Sequence, residues 1–246
     1  MKIQLETIPV WDALKKDDEC FICSLMKEAE EDAVNYYLSS AIMTPEVRIK
    51  TNTYGFCHHH MHLLSDGKKA QALALMMDTY YDENKRIFSP FYEKILSSGK
   101  ASKIEKTASS LFSSYHEREK GCLVCQRMSE RLERYLFTAC SLYLEDSEFK
   151  KAFKESKGLC IHHTEKLFEA AKEVMKGDAL VDFYHTLIAL MRDNLDRVQK
   201  DDQWLTQKYK SENKDKSWNG CEDAANRAVD KFTSSCRILD ESRIRS

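Results

Sequence analysis

Proline and glycine are scarce in this sequence. Its 246 residues contain only three prolines and seven glycines. These are too few for the many tight turns of a β-sandwich or β-barrel, whereas helix-favouring Ala, Leu, Lys and Glu run densely through the long segments. We therefore predict an all-α protein, and a chain of this length can bury a full core without crosslinks.

An excess of one charge sign and a long apolar run are also missing. The net charge is −2 and basic and acidic residues are interleaved, so no basic stripe of the kind that binds nucleic acid or anionic membranes is visible. No segment approaches the roughly 20 apolar residues that span a bilayer, and residues 1–6 lack the apolar core of a signal peptide. We expect a cytoplasmic protein that binds neither nucleic acids nor membranes.

The signatures of several common enzymes are absent. The sequence contains no Gly-rich phosphate loop, no G-x-S-x-G elbow and no H-E-x-x-H motif. Carboxylate pairs such as Glu30/Glu31 and Asp201/Asp202 are ordinary in a chain with 32% charged residues, and we interpret the charge run at residues 27–32 as a solvated helix face. Nucleotide-binding, hydrolase and metalloprotease functions therefore have no support.

Cysteine, by contrast, is abundant and occurs in two matching patterns. In each half, a Cys-x-x-Cys pair is followed, 34 or 35 residues after its second cysteine, by the cysteine of a Gly-x-Cys-x-x-His motif. The two patterns are offset by about 102 residues, which predicts a tandem repeat. The residues are Cys20, Cys23, Cys57 and His60 in the first half, and Cys122, Cys125, Cys160 and His163 in the second.

These residue types at this spacing predict metal binding. Residues at i and i+3 share one face of a helical turn, so each motif can direct two side chains at one ion. Three cysteines and one histidine complete the tetrahedral shell of a structural zinc ion. Because structural disulfides do not persist in a reducing cytoplasm, we expect two zinc ions per chain rather than crosslinks.

The two motifs of one half can meet if the chain folds as a helical hairpin. About 20 residues of helix travel roughly 30 Å, and the remaining residues can cover that distance on the return. We therefore predict one metal site within each half, joining the starts of two helices. The predicted fold is a helical bundle of tandem-duplicated hairpins.

The predicted organisation has three parts. Residues 1–100 form the first repeat and residues 101–210 the second, each with one metal motif, while residues 211–246 form a C-terminal helix and tail. Residues 97–110 are rich in Ser, Lys and Gly, and we interpret them as the linker between the repeats.

Other histidines and cysteines are weighed against these ligands. On a helix that begins at the motif cysteine, His59 and His162 are turned away from it, although a non-helical backbone would reopen this choice. The remaining interpretations are core packing for Cys140, a reactive or incidental thiol for Cys221 and Cys236, an exposed or site-neighbouring position for His58 and His62, and ordinary hydrogen bonding for His116 and His185.

The duplicated motif resembles that of an uncharacterised bacterial family, a domain of unknown function. The resemblance rests on Cys-x-x-Cys followed by Gly-x-Cys-x-x-His, twice, and on a Trp-containing segment, here residues 208–232, and it covers most of the chain. Members often carry Pro after the first cysteine of a pair, where this chain has Phe21 and Leu123. That departure leaves the ligands intact, and the resemblance implies no activity.

Three hypotheses of function follow. The first is a non-catalytic zinc protein that binds an unknown protein partner, because three cysteines and one histidine leave no open position for a catalytic water, which also argues against an enzyme. The second is a thiol-redox protein that uses its Cys-x-x-Cys pairs, although the βαβ pattern of thioredoxin-like folds is absent. The third is an iron–sulfur electron carrier with Cys/His ligation. The sequence leaves the substrate, the partner and the oligomeric state open.

Overall fold

The computed structural model describes residues 5–67 and 69–239, and within them the regular structure is helical, with no strand. This confirms the predicted all-α class. None of the helices in these ranges is apolar over a length that would carry it through a bilayer. The helices are α1 Thr7–Lys15, α2 Phe21–Tyr37, α3 Pro45–Tyr54, α4 His58–Asp66, α5 Ala70–Leu96, α6 Ala101–Lys120, α7 Leu123–Glu145, α8 Ser147–Glu155, α9 Ile161–Val174, α10 Gly177–Lys208 and α11 Ala224–Thr233, with short 3₁₀ helices at Ser40–Met43 and Ser211–Asn213.

The described residues form two compact units. The first unit combines the N-terminal segment up to Glu28 with Glu130–Ile238, and the second is built mainly on Ala29–Ser129. The boundaries fall inside α2 and α7, so each of these helices contributes to both units. The predicted organisation into residues 1–100, 101–210 and 211–246 stays a prediction, as does duplication of the sequence.

The prediction of a linker at residues 97–110 is wrong. Helix α6 begins at Ala101, and its residues Thr107 and Leu111 are buried. Serine suggested a loop because its hydroxyl can compete with the helical backbone, but on an exposed helix face it can bond the carbonyl four residues earlier instead. Ser110 and Ser114 do so at 3.2 and 3.0 Å.

Aromatic side chains form the core of the first unit. Phe149, Phe153 and Phe183 are fully buried. Tyr143 meets Phe153 and Phe183 edge to face, with ring centroids 5.6 and 4.8 Å apart, and Phe21 meets Phe153 at 6.2 Å. Aromatic rings prefer this edge-to-face geometry, so the contacts fix the relative orientation of the rings as well as burying apolar area. They hold the first residue of α2, directly after Cys20, against α8.

In the second unit, α6 returns the chain to the end of α3. Arg118, near the end of α6, donates a 2.7 Å hydrogen bond to the carbonyl of Asn52 and lies over the ring of Tyr80. Three residues after α6, the backbone N–H of Leu123 donates to the carbonyl of Gly55 at 3.2 Å. These contacts bring the start of α7 beside the start of α4.

Two glycines make the turns that lead into α4 and α9. Gly55 and Gly158 have φ of +66° and +73°, a region that residues with a Cβ rarely adopt. A Cβ would also lie 3.1 Å from the Tyr80 hydroxyl at Gly55 and 3.2 Å from Leu190 Cγ at Gly158. Each turn therefore needs glycine two residues before a motif cysteine.

Candidate metal centres

The first cluster of predicted ligands lies where α2 and α9 begin, and we call it the α2–α9 group. It consists of Cys20, Cys23, Cys160 and His163, all buried, with their ligand atoms within 4.8 Å of one another. Nδ1 of His163 lies 3.4, 3.4 and 3.3 Å from the sulfurs of Cys20, Cys23 and Cys160. The Cys23 and Cys160 sulfurs are 3.8 Å apart.

The second cluster, the α4–α7 group, has nearly the same dimensions. It consists of Cys57, His60, Cys122 and Cys125, all buried and again within 4.8 Å of one another. Nδ1 of His60 lies 3.2, 3.2 and 3.3 Å from the sulfurs of Cys57, Cys122 and Cys125. The Cys57 and Cys125 sulfurs are 3.9 Å apart.

Both groups lie at helix starts, as predicted. Cys57 and Cys160 are the residues before α4 and α9 and share one extended conformation, with φ of −70° and −71° and ψ of 163°. Cys20 and Cys122 precede α2 and α7, and each sulfur accepts a 3.4 Å hydrogen bond from the backbone N–H three residues later. Free N–H groups and the positive end of the helix dipole favour thiolate there.

The prediction that each half of the chain forms its own site is wrong. Cys20 and Cys23 meet Cys160 and His163, while the pairs beginning at Cys57 and Cys122 meet each other. A chain of this length allows the two motifs of one half to meet but does not require it. A crosswise arrangement satisfies the same length, and the packing of α5 against α6, followed by the Leu123 to Gly55 hydrogen bond, selects it for the α4–α7 group.

Within each His pair, the structure directs the predicted histidine inward. His60 and His163 are almost fully buried, whereas the His59 side chain is 40% exposed and His162 is partly exposed. The helical backbone from position 58 onward turns the intervening residue aside. His58 and His62 are exposed, with ring centroids 4.5 Å apart on the surface of α4.

Hydrogen bonds within the groups shift the pKa values of their members. Hydrogen bonds from the other cysteines of the same group lower the pKa of Cys23 and of Cys57, whereas burial raises that of Cys20 well above its usual range. Burial lowers the pKa of His60 and His163, but hydrogen bonds to the cysteines outweigh it and raise these pKa values to about 10 and about 9. A metal ion would therefore displace protons as it binds.

Glu30 is a functional candidate that the sequence analysis missed. Its Oε1 lies 2.9 Å from Nε2 of His60 and 3.0 Å from Nε2 of His59. Burial raises the pKa of Glu30, but these hydrogen bonds outweigh it and lower the pKa. A carboxylate on Nε2 holds the proton there and leaves Nδ1 free to bind a metal. Glu30 was hidden in a charge run, where only its contact with α4 distinguishes it.

Helix α11 supports the α2–α9 group through a buried lysine. Lys231 is only 1% exposed, and its ammonium donates to the carbonyls of Glu19 and Lys157. It also lies 3.0 Å from the Glu19 carboxylate, and burial lowers its pKa. Glu19 directly precedes Cys20, and Lys157 lies three residues before Cys160. One ammonium therefore joins the two segments that carry the ligands.

The residues after α11 place a hydroxyl and a ninth cysteine beside the same group. Ser234 Oγ lies 3.1 Å from the Cys23 sulfur and 3.4 Å from the Cys236 sulfur. Ser234 has φ of +75°, an unfavourable conformation for a residue with a side chain, and such strain often marks a functional position. The two other cysteines outside the groups are buried, and burial raises the pKa of Cys140 to about 12.

Comparison with known proteins gives one match. No curated protein and no solved structure matches the chain. The family of unknown function DUF6062 matches residues 1–238. The sequence motifs already resembled those of a domain of unknown function, and the match spans both ligand groups. The chain therefore belongs to the DUF6062 family.

Proposed function

We propose that this protein binds two structural zinc ions, one in the α2–α9 group and one in the α4–α7 group. The distances between ligand atoms carry this proposal. Zinc bonds of about 2.3 Å to sulfur and about 2.0 Å to nitrogen, at tetrahedral angles, separate two sulfurs by roughly 3.8 Å and a sulfur from a nitrogen by roughly 3.5 Å. The separations of 3.8 and 3.9 Å between sulfurs, and of 3.2 to 3.4 Å between nitrogen and sulfur, fit one ion per group.

The same dimensions favour a structural role. Four protein ligands fill a tetrahedral shell, so no position remains for the water that a catalytic zinc activates. An iron–sulfur cluster holds its ligands on separate iron atoms joined by sulfides, and it needs more room than a single ion. The thiol-redox alternative uses two cysteines at a time, whereas each group gathers three cysteines and a histidine around one point.

Metal analysis of protein purified without oxygen tests the proposal. We expect two equivalents of zinc per chain, no acid-labile sulfide and no visible absorption. Iron with sulfide would establish the cluster instead, and metal-free protein with accessible thiols would favour the redox alternative. Strong chelation should lower the melting temperature while far-UV circular dichroism retains most helicity, because the helical core persists. Unchanged stability after complete metal removal would contradict the structural role.

We also propose that the surface formed by α9 and α10, next to the α2–α9 group, binds a protein partner. A groove of about 480 Å³ lies between α9 and α10. Phe168 stacks on Tyr184 along it at 3.8 Å, and Ile161 and Ile188 are partly exposed there. Ile161 directly follows the ligand Cys160, so the metal orders one end of the groove. An apolar face of a partner helix fits this chemistry.

Site-specific photocrosslinking tests the role of the groove in cells that make the protein. A photoreactive residue at position 168 should crosslink to one defined protein, and the Ile188→Asp variant should abolish the product. The same probe at the exposed Tyr209 position serves as a control for random collisions. Equal products from both positions would remove the support for a binding groove.

A further inference from the structure

We propose that Cys23 and Cys236 form a peroxide-oxidisable dithiol whose closure as a disulfide releases the metal of the α2–α9 group alone. The inference rests on the proposed metal binding at that group. It concerns Cys236, a thiol that the four-ligand site does not use. Its oxidant is a small hydroperoxide such as hydrogen peroxide.

Contact and access support the choice of these two sulfurs. The Ser234 hydroxyl touches both sulfurs, at 3.1 and 3.4 Å. Cys23 is buried, whereas Cys236 is partly exposed and is the one cysteine of the nine that is not buried. Of the two residues, Cys236 is therefore the more accessible to a peroxide in solvent, and Ser234 places its sulfur near that of Cys23.

The chain around Cys236 can accommodate a disulfide. Helix α11 ends at Thr233, and the described residues after it, 234–239, form no further helix. A disulfide requires a specific separation and dihedral angle, and a non-helical segment can adjust to them more easily than a helix. Ser234 begins this segment at positive φ, and its N–H donates to the carbonyl of Asp230.

The oxidation takes two electrons in two steps. The Cys236 sulfur attacks one peroxide oxygen, the O–O bond breaks, and the leaving hydroxide takes the thiol proton, which gives a sulfenic acid and water. The Cys23 sulfur then attacks the Cys236 sulfur, the S–O bond breaks, and the hydroxide leaves as water after taking a proton. The Cys236 thiol and the Cys23 thiolate become one disulfide, one peroxide and one proton from solvent become two waters, and the group loses one of its four ligands.

The α4–α7 group provides an internal control. Within Ala29–Ser129 the sequence contains only Cys57, Cys122 and Cys125, all of them members of the group. No additional thiol of that unit can therefore form a disulfide with a ligand by the same route. Oxidation through Cys236 should release one of the two metal equivalents.

The experiment uses full-length protein whose zinc content is measured before oxidation. Hydrogen peroxide is added, released zinc is followed with a chromogenic chelator, and thiols are blocked before peptide mapping by mass spectrometry. We expect rapid loss of one of two equivalents, a Cys23 to Cys236 disulfide, and recovery of the zinc after a thiol reductant is added. The Cys236→Ser variant should keep both equivalents, whereas Cys221→Ser should behave like the unchanged protein.

Failure of this inference can be distinguished from failure of metal binding. Two equivalents before oxidation, followed by equal release in the Cys236→Ser variant or by a Cys20 to Cys23 disulfide, would overturn the dithiol while leaving metal binding intact. Protein with no zinc at the outset would overturn metal binding and this inference with it. Circular dichroism and the zinc content of Cys236→Ser before oxidation establish that the variant is folded and loaded.

Discussion

The two groups share the chemistry and dimensions of their candidate ligands, but different residues surround them. In the α4–α7 group, the Glu30 carboxylate contacts Nε2 of His60. A backbone hydrogen bond from Leu123 to Gly55 joins the segments that lead into α7 and α4. In the α2–α9 group, the Lys231 ammonium joins the segments, and Ser234 contacts a ligand sulfur. Equivalent ligand sets therefore do not imply equivalent sites, because the surrounding residues set ligand orientation, access and reactivity.

Pairs of ligand substitutions give the largest expected effect and test the crosswise grouping. Cys20→Ser combined with Cys160→Ser should remove one zinc, because both changes fall in the α2–α9 group. Cys20→Ser combined with Cys57→Ser should remove both, since each change disables a different group. Zinc analysis of the purified variants distinguishes the two cases. One equivalent left in the second double variant, or none in the first, would restore the arrangement of one site per half.

Replacement of Lys231 should weaken the α2–α9 group next most strongly. Lys231→Met fills similar volume but leaves two buried carbonyls without their donor, at a cost of about 1–3 kcal/mol each. We expect a lower melting temperature and faster zinc transfer to a chelator for one equivalent only. Lys200→Met, at an exposed position of α10, is the matched control. Accelerated loss of both equivalents would show a general loss of stability instead.

Replacement of Glu30 should act on the other group. Glu30→Gln keeps the shape of the side chain but weakens its hold on His60, and loss of such a partner typically lowers metal affinity by about 10- to 100-fold. Competition with a chelator of known affinity should show this for one of the two equivalents. Glu31→Gln changes the exposed neighbour and should have no effect. If both zinc affinities were unchanged in Glu30→Gln, the contact between Glu30 and His60 would not contribute to metal binding.

The smallest effects are expected at the histidines next to the ligands. His59→Ala and His162→Ala should each retain two equivalents of zinc, since these side chains are not members of either group. By comparison, His60→Ala and His163→Ala remove a proposed ligand and should each lose the zinc of their own group, a much larger effect. Within the first pair, His59→Ala should lower affinity slightly more than His162→Ala, because His59 shares the Glu30 carboxylate. Loss of zinc from His59→Ala or from His162→Ala would contradict the ligand assignment.

Local sequence patterns predicted much of the fold and the candidate ligands. The spacing of Cys57 and His60, and of Cys160 and His163, places both side chains of each pair on one helical face, and the structure brings all eight residues into two buried groups.

The linker prediction failed because a high serine content indicates a tendency toward turns, whereas burial of Thr107 and Leu111 favours a helix in this segment. Glu30 could not be separated from its charged neighbours without knowing what lies opposite it.

The sequence by itself determined the helical class, the eight residues of the groups and their positions at helix starts. These depend on composition and on spacings of three or four residues, which the helix geometry converts directly into shared faces. Only the tertiary structure decided which motifs meet, that Glu30 supports His60, and that Lys231 and Cys236 lie at the α2–α9 group. Such pairings join residues tens to hundreds of positions apart, and many of them satisfy the same chain lengths. Side-chain packing selects one of them.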